Sequence, residues 1–192
     1  MNHVKGFCVL DVDGTLIEEE VIDLLGKEAE CENEVALLTA QAMRGELDFE
    51  ESLRKRVSLL KGLSIDTFDK IYHELHLSKN AAQFINTLQK NQIEVGLVSG
   101  GFTPIVERLA KDLGISLFAA NQLETKDGYL TGNLSSPVIT REVKEETNLD
   151  IIKPKLRGII TFPDFDGEKD WYTYVYTATN YKGTLTEDCN EG

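Results

Sequence analysis

Short apolar runs alternate with helix-spaced apolar positions along the first two thirds of this chain. Apolar runs at Phe7 to Leu10 and Ile93 to Val98 predict two buried strands. A third run, Ile115 to Ala120, leads into residues 121–131, which predict a hairpin turning at Lys126-Asp127-Gly128. Because strands alternate with helical segments, the pattern predicts an α/β protein with a parallel sheet.

The helical segments lie between these strands. Apolar residues recur at helical spacing over residues 18–78, which predicts an all-helical insert after the first strand, and a further helix begins near Asn80. Another helix is predicted after Ser99-Gly100-Gly101, with Thr103 as its N-cap and Pro104 as its first helical residue.

The pattern changes near residue 140. Residues 141–148 predict a compact charged helix, and the remaining chain predicts strands at 156–162, 171–177 and 181–185. No helical segment follows that would complete a parallel sheet. We therefore expect a seam near residue 140, followed by a β-rich C-terminal segment.

The composition of the chain argues against several classes of binding partner. The 192 residues carry a formal net charge of -13 and a sequence pI of about 4.7, which argues against nucleic acid or an anionic membrane as a partner. Cys8, Cys31 and Cys189 form no CxxC motif, so neither a disulfide framework nor a zinc site is indicated. Without a signal-like start or an apolar stretch of about 18 residues, we predict a cytoplasmic protein. A homodimer is compatible with this pattern but not indicated by it.

Two carboxylates follow the first predicted strand. Asp11 and Asp13 are two residues apart, so both point to the same side where the strand ends. Their repulsion is relieved by a hard cation such as Mg²⁺ or by a shared proton. The alternative is an Asp-Gly turn without chemistry. The two residues alone leave both interpretations open.

Ser99, Gly100 and Gly101 follow the second predicted strand. In an open parallel sheet the carboxyl ends of neighbouring strands share one edge, so these residues converge with Asp11 and Asp13 if the two strands are adjacent. A hydroxyl, free amides and a helix start form a cradle for phosphate. Together with a Mg²⁺-bound carboxylate pair, this set favours phosphoryl transfer to Asp11, with Asp13 as acid and base.

DVDGT followed by SGG resembles the haloacid dehalogenase superfamily, and LIEEEVIDLL, MRGELDFEESLRKRVSLLKGL, VGLVSGGFTPIVERLAKDLGI and FAANQLETKDGYLTG resemble its phosphoserine phosphatases. The resemblance implies a Rossmann-like core over residues 1–17 and 79–140, with residues 18–78 as a helical cap. It also implies Mg²⁺-dependent hydrolysis of a small phosphorylated substrate, L-phosphoserine.

The resemblance also assigns roles by position. It makes Asp11 the nucleophile, Asp13 the acid and base, and Ser99 with Gly100 and Lys144 the phosphate-binding residues. In the cap, the residues expected at the substrate are Glu20 at its ammonium, Arg56 at its carboxylate, and Met43 and Phe49 closing over it. From the sequence alone, Arg56 beside Arg54 and Lys55 also fits a solvated basic face.

The acidic motif that completes the Mg²⁺ site in this family is absent in recognisable form. Asp166 and Asp170 keep its spacing between two aspartates and are the candidate replacements, so the predicted metal ligands are Asp11, Asp13, Asp166 and Asp170. These aspartates can replace the missing motif only if they lie close to Asp11. We therefore expect residues 156–162 to lie beside the Asp11 strand and to bring these aspartates, or Asp164, near Asp11.

A second resemblance covers residues 141–192. Arg141 to Leu149 resembles the later half of the Nudix box, and Glu142, Glu145 and Glu146 fall on one helix face where a divalent cation would relieve their repulsion. The box is incomplete, and a solvated acidic face is the alternative. Two other functions therefore stay open: an inactive chimera that binds phosphoserine, and a nucleoside triphosphate pyrophosphohydrolase.

Overall fold

A parallel sheet forms the centre of the molecule. The computed structural model describes residues 6–135, 138, 150–152, 155–162, 171–177 and 180–182. The sheet contains β1 (Gly6–Leu10), β2 (Ile93–Phe102) and β3 (Leu117–Asn121), in the order β1-β2-β3. Both strand pairs are parallel, with Leu10 opposite Leu97, so β1 and β2 end at the same edge. The predicted α/β class is confirmed.

Four helices form the insert that follows β1. They are α1 (Val21–Glu28), α2 (Glu32–Met43), α3 (Phe49–Leu59) and α4 (Thr67–Glu74). Two more helices, α5 (Ala81–Lys90) and α6 (Thr103–Asp112), precede and follow β2. Within the described residues, no helix is both long and apolar enough to cross a bilayer.

The helical insert and the sheet share one apolar core. A single cluster of buried side chains runs through both, with members that include Val12, Leu25, Val57, Leu60, Leu97, Phe102 and Ile105. Burying one such side chain contributes about 1.5–3 kcal/mol. Packing across the insert and the sheet therefore holds the carboxyl ends of the strands in a fixed position relative to the helices above them.

Two short connections carry the chain from the sheet into the insert and back. They pair with each other, since Ile17 and Leu77 form an antiparallel bridge and the Ser78 amide donates to the Leu16 carbonyl at 3.0 Å. The hydroxyl of Ser78 also donates to the Thr15 carbonyl at 2.6 Å. These bonds define where the insert joins the sheet.

A hairpin supports the far end of α3. It consists of β4 (Leu123–Lys126) and β5 (Tyr129–Leu134), and the Gly62 amide donates to the Leu130 carbonyl at 2.8 Å. Gly132 has φ +88°, and a Cβ at this position would lie 3.1 Å from Lys61 Cβ. Only glycine adopts this conformation and allows this approach without strain.

The start of α6 differs from the prediction. Strand β2 continues to Phe102, which occupies the N-cap position, so Thr103 is the first helical residue and Pro104 follows it. Thr103 does not cap the helix, because its Oγ1 lies 3.2 Å from the carbonyl oxygens of Ala120 and Asn121 at the end of β3. A tertiary hydrogen bond therefore replaces the local cap.

The C-terminal strands form separate two-stranded sheets. Strand β6 (Asp150–Ile152) pairs with β9 (Asn180–Lys182), and β7 (Lys155–Phe162) pairs with β8 (Trp171–Thr177), both antiparallel. The expectation that residues 156–162 lie beside the Asp11 strand is wrong: in the described part of the chain β1 is hydrogen-bonded only to β2. Strand β7 pairs with β8 instead, and β8 approaches β1 without joining its sheet.

Candidate active site

Two aspartates leave the end of β1 and differ in their surroundings. Asp13 is half-buried. Its Oδ1 accepts a hydrogen bond from the amide of Val21 at 2.9 Å, and its Oδ2 accepts one from Ser99 Oγ at 2.9 Å. Asp11 is exposed, and its Oδ1 accepts from the Val12 amide at 2.8 Å. Asp13 is thus anchored to α1 and β2, while Asp11 is exposed directly after the end of β1.

The end of β2 is built around the Asp13 carboxylate. Ser99 is 1% exposed, and its Oγ accepts the Gly101 amide at 2.8 Å. A Cβ built on Gly101 would overlap Asp13 Oδ2, so a larger residue there would displace the carboxylate. Buried Asn121 donates to the Gly100 carbonyl at 2.9 Å and fixes the other side of this turn. The expected convergence of Asp13 and Ser99 is therefore observed.

Burial changes the acidity of Asp13. Desolvation raises the pKa of its carboxyl above the ordinary value of 3.8, although the hydrogen bonds from Val21 and Ser99 lower it. A carboxyl that holds its proton more tightly than usual beside an exposed carboxylate suits proton donation and acceptance. The pair can therefore supply one anionic oxygen and one proton carrier at the same edge.

Glu20 lies just before α1 and belongs to the same electrostatic cluster. Loss of hydration and, after it, the carboxylates of Asp13, Asp23 and Asp11 raise its pKa from 4.5 to about 7, although Arg56 opposes this shift. Glu20 is nevertheless exposed to solvent. An exposed carboxylate in a negative surrounding favours a cationic ligand, such as an ammonium group.

Arg56 is buried, unlike its neighbours on α3. Arg56 is 9% exposed. By contrast, Arg54 and Lys55 are exposed and form ion pairs with Glu50 and Glu51, respectively, at 2.7 Å each. A solvated face therefore describes Arg54 and Lys55 but not Arg56. Burial lowers the pKa of the Arg56 guanidinium, and the nearby carboxylates of the cluster raise it.

Two apolar residues predicted to close over the site behave differently. Phe49 begins α3 and its Cζ lies 3.0 Å from the position of a Cβ on Gly100, so its ring covers the glycine turn. Met43 ends α2 and is 70% exposed. Phe49 therefore covers the cleft in this structure, and Met43 is not packed against it.

The donor set suits magnesium in part. Mg²⁺ commonly binds through one or two carboxylates and keeps its other positions for water and substrate phosphate. Asp11 and Asp13 provide such a pair, and no group of three or more His, Cys, Asp or Glu able to hold a metal occurs within the described ranges. The other predicted residues, Lys144, Asp166 and Asp170, lie outside those ranges.

The acidic helix face of the second resemblance also lies outside the described residues. This applies to Glu142, Glu145 and Glu146. The Nudix-type interpretation therefore stays a prediction from sequence.

Sequence reasoning missed three residues at the site: Asp23, Thr39 and Asn121. Asp23 lies one turn after Glu20 in α1, so helical spacing could have placed it on the same side. Thr39 contacts Arg56 across two helices, and no local pattern indicates this contact. Asn121 was assigned only to a hairpin, although it ends β3 at the same edge as Ser99.

Known proteins resemble this chain over the same region. A family model described as haloacid dehalogenase-like hydrolase matches residues 8–155. The phosphoserine phosphatase of Streptococcus thermophilus is 51% identical over 144 residues, which is 75% of this chain and 67% of that protein. The phosphoserine phosphatase of Lactococcus lactis is 51% identical over 140 residues, which is 73% of this chain and 65% of that protein.

Solved structures agree with these matches. A structure described as a phospho-aspartyl intermediate analogue of phosphoserine phosphatase aligns with a TM-score of 0.69 at 40% identity, covering 75% of this chain and 69% of that chain. A substrate-bound phosphoserine phosphatase complex aligns with a TM-score of 0.66 at 40% identity, covering 71% and 65%. The chain thus spans about two thirds of the length of these relatives. By the family model and these relatives together, the chain belongs to the haloacid dehalogenase-like hydrolase family.

Proposed function

We propose that this chain hydrolyses L-phosphoserine to L-serine and phosphate through an aspartyl-phosphate on Asp11. The observation that carries the proposal is that half-buried Asp13, two residues after exposed Asp11, has a raised pKa and a bond from Ser99 that suit an acid and base. The curated relatives at 51% identity are phosphoserine phosphatases, and one related structure is a phospho-aspartyl intermediate analogue.

Asp11 and Asp13 together account for the bonds and protons exchanged in both steps of the hydrolysis. A carboxylate oxygen of Asp11 attacks phosphorus, the bond between phosphorus and the serine oxygen breaks, and Asp13 gives its proton to that oxygen. In the second step Asp13 takes a proton from water as the water oxygen attacks phosphorus. The bond between phosphorus and Asp11 then breaks, which releases phosphate and restores both residues.

Two groups in the helical insert suit the amino-acid part of the substrate. Glu20 is exposed among other carboxylates and offers a negative site for the ammonium group. The Arg56 guanidinium is a planar fork that matches a carboxylate. We assign residues 18–78 to a cap that carries these two groups, and residues 1–17 and 79–140 to the core that carries the chemistry.

Magnesium and a lysine complete the proposal. Asp11 and Asp13 would hold Mg²⁺, which, when bound, offsets the repulsion between an anionic nucleophile and an anionic phosphate. Asp166 and Asp170 remain the predicted additional ligands, and Lys144 the predicted phosphate-binding lysine. We also propose that the protein acts in the cytoplasm on this small substrate.

Phosphate release from L-phosphoserine tests the proposal directly. We expect release that requires Mg²⁺ and that falls by roughly 10³-fold or more in Asp11→Asn, because removing a covalent nucleophile abolishes the main path. Asp127→Asn is the matched control, since it makes the same change at an exposed hairpin turn. Turnover by Asp11→Asn at the parent rate would refute the mechanism.

The same samples distinguish the inactive alternative. If L-phosphoserine raises the melting temperature of the parent protein but no phosphate is released, the chain binds the substrate without hydrolysing it. That result would favour the binding chimera over the enzyme.

A further inference from the structure

Neutral oxygen atoms from two helices contact the Arg56 guanidinium. Its Nε lies 3.4 Å from the Ser52 carbonyl oxygen on the same helix, and its Nη1 lies 3.4 Å from Thr39 Oγ1 on α2. Both distances are long for hydrogen bonds, so each contact is weak. No carboxylate of the described residues lies within 4.0 Å of it.

The hydroxyl of Thr39 is itself oriented. Thr39 Oγ1 donates its proton to the Val35 carbonyl at 3.0 Å. A hydroxyl has one proton and two lone pairs. Because the proton points at the Val35 carbonyl, the lone pairs remain to accept from Arg56. Thr39 therefore acts toward Arg56 only as an acceptor.

The two helices are held in register at this point. Ser52 is fully buried and its Oγ donates to the Leu38 carbonyl at 3.4 Å. This bond joins α3 to α2 one residue before Thr39 and one turn before Arg56. The position of the Thr39 hydroxyl relative to the guanidinium is thus set by helix packing.

The charge around Arg56 explains why a neutral acceptor is useful there. Asp23 and Glu20 are the carboxylates that act on its pKa. An acidic side chain in direct contact with the guanidinium would compete with an anionic ligand. A threonine hydroxyl orients the fork without neutralising it, and leaves its other N–H groups for that ligand.

We propose that Thr39 is a positioning residue that aims the Arg56 guanidinium at the carboxylate of the substrate. Through Arg56 it favours a phosphorylated amino acid over a phosphate monoester that lacks the carboxylate. This inference rests on the proposed function, since it assumes that L-phosphoserine occupies the cleft.

Substitution of Thr39 tests the inference with two ligands. Thr39→Val keeps the shape and removes the acceptor, whereas Thr39→Ser keeps the hydroxyl. We expect Thr39→Val to raise KM for L-phosphoserine roughly three- to tenfold, as the loss of one weak charge-assisted bond predicts. kcat should stay within about twofold, and KM for phosphoethanolamine should not change, because this ester has no carboxylate. Thr39→Ser should behave as the parent.

A matched control removes the same local bond elsewhere. Thr87 Oγ1 donates to the Gln83 carbonyl four residues earlier at 2.8 Å on the exposed side of α5. Thr87→Val therefore loses an equivalent helical hydrogen bond without any contact to Arg56. It should leave both KM values unchanged. Dissociation constants from calorimetry should show the same ligand difference independently of turnover.

The outcomes separate the two levels of the proposal. If Thr39→Val changed KM equally for both ligands, or for neither, the role of Thr39 would be overturned and the proposed function would be unaffected. A parent protein that neither binds nor hydrolyses L-phosphoserine would overturn both. Retained phosphoethanolamine turnover in Thr39→Val shows that the variant is folded.

Discussion

Two of the regions where the helical insert meets the rest of the molecule differ in how their charges are arranged. Between α4 and α6, Arg108 Nη1 pairs with Asp69 at 2.8 Å, and the Tyr72 hydroxyl donates to Asp112 at 2.7 Å. Arg108 also lies 3.9 Å above the Tyr72 ring. We call these four residues the latch. At the cleft, by contrast, Asp13, Glu20 and Asp23 all have raised pKa values, with Arg56 as the cation among them.

The difference indicates which groups are structural and which serve a ligand. Charges at the latch have partners within the protein, so they contribute a small, local stabilisation. Carboxylates in the cleft repel one another and lose hydration, which costs stability. Such a surplus is retained where bound cations offset it, and the proposed Mg²⁺ and substrate ammonium would do so.

Among the changes that test the comparison of cleft and latch, the largest expected effect comes from removing the positive charge of Arg56 in the cleft. Arg56→Leu should raise KM for L-phosphoserine roughly 10- to 100-fold, because a charge-assisted hydrogen bond contributes about 1.5–3 kcal/mol. KM for phosphoethanolamine should change by less than about twofold. Steady-state kinetics with both esters measure this difference.

The neighbouring Arg54 provides the control. It is exposed and pairs with Glu50 on the same helix, so Arg54→Leu should leave both KM values near those of the parent. If Arg56→Leu raised KM equally for both esters, Arg56 would not recognise the carboxylate. The charge of the cleft would then not serve this ligand group.

An intermediate effect is expected at Glu20. A carboxyl whose pKa is raised from 4.5 to about 7 stabilises the fold below about pH 4.5 and loses this contribution as the pH rises through 7. Glu20→Gln should therefore unfold at higher urea concentration than the parent at pH 8. The gain is about 1 kcal/mol, since solvent screens this exposed group.

This gain should shrink as the pH is lowered toward 4.5, because the parent carboxyl then becomes neutral like the glutamine. Unfolding curves at several pH values between these limits measure the trend. Glu18→Gln is the control at an exposed neighbouring position. A pH-independent difference for Glu20→Gln would contradict the assigned pKa.

The smallest effect is expected at the latch. Burial, with the bond to Asp112, raises the pKa of Tyr72 to about 12, so its hydroxyl remains a donor at neutral pH. Tyr72→Phe removes that bond and keeps the ring beneath Arg108. The free energy of unfolding should fall by about 0.5–1 kcal/mol, without any change in KM for either ester.

Tyr129→Phe is the matched change at a residue that is 54% exposed, and it should leave the free energy of unfolding unchanged. A strong effect of Tyr72→Phe on KM would mean that latch and cleft are coupled, which would contradict their separation.

Much of the fold and the meeting of Asp13 with Ser99 could be predicted because they follow from local rules. Apolar periodicity identified the strands and the helical insert, and parallel strands bring their carboxyl ends to one edge. The cap of α6 was predicted wrongly because Thr103 bonds to the end of β3 instead. The predicted location of residues 156–162 was also wrong, because these residues pair with β8 and not with β1, and no local pattern in the sequence indicates which strand will be the partner.

The sequence by itself determined the alternation of strands and helices, the pair Asp11 and Asp13, and the glycine turn that meets them. Only the tertiary structure decided that Arg56 is buried while Arg54 is not, that the Asp13 pKa is raised, and that Thr39 contacts Arg56. The physical reason is that hydration, charge and hydrogen bonding at one atom depend on neighbours from distant segments. Helical or strand periodicity gives the face of each segment but not the partner it packs against.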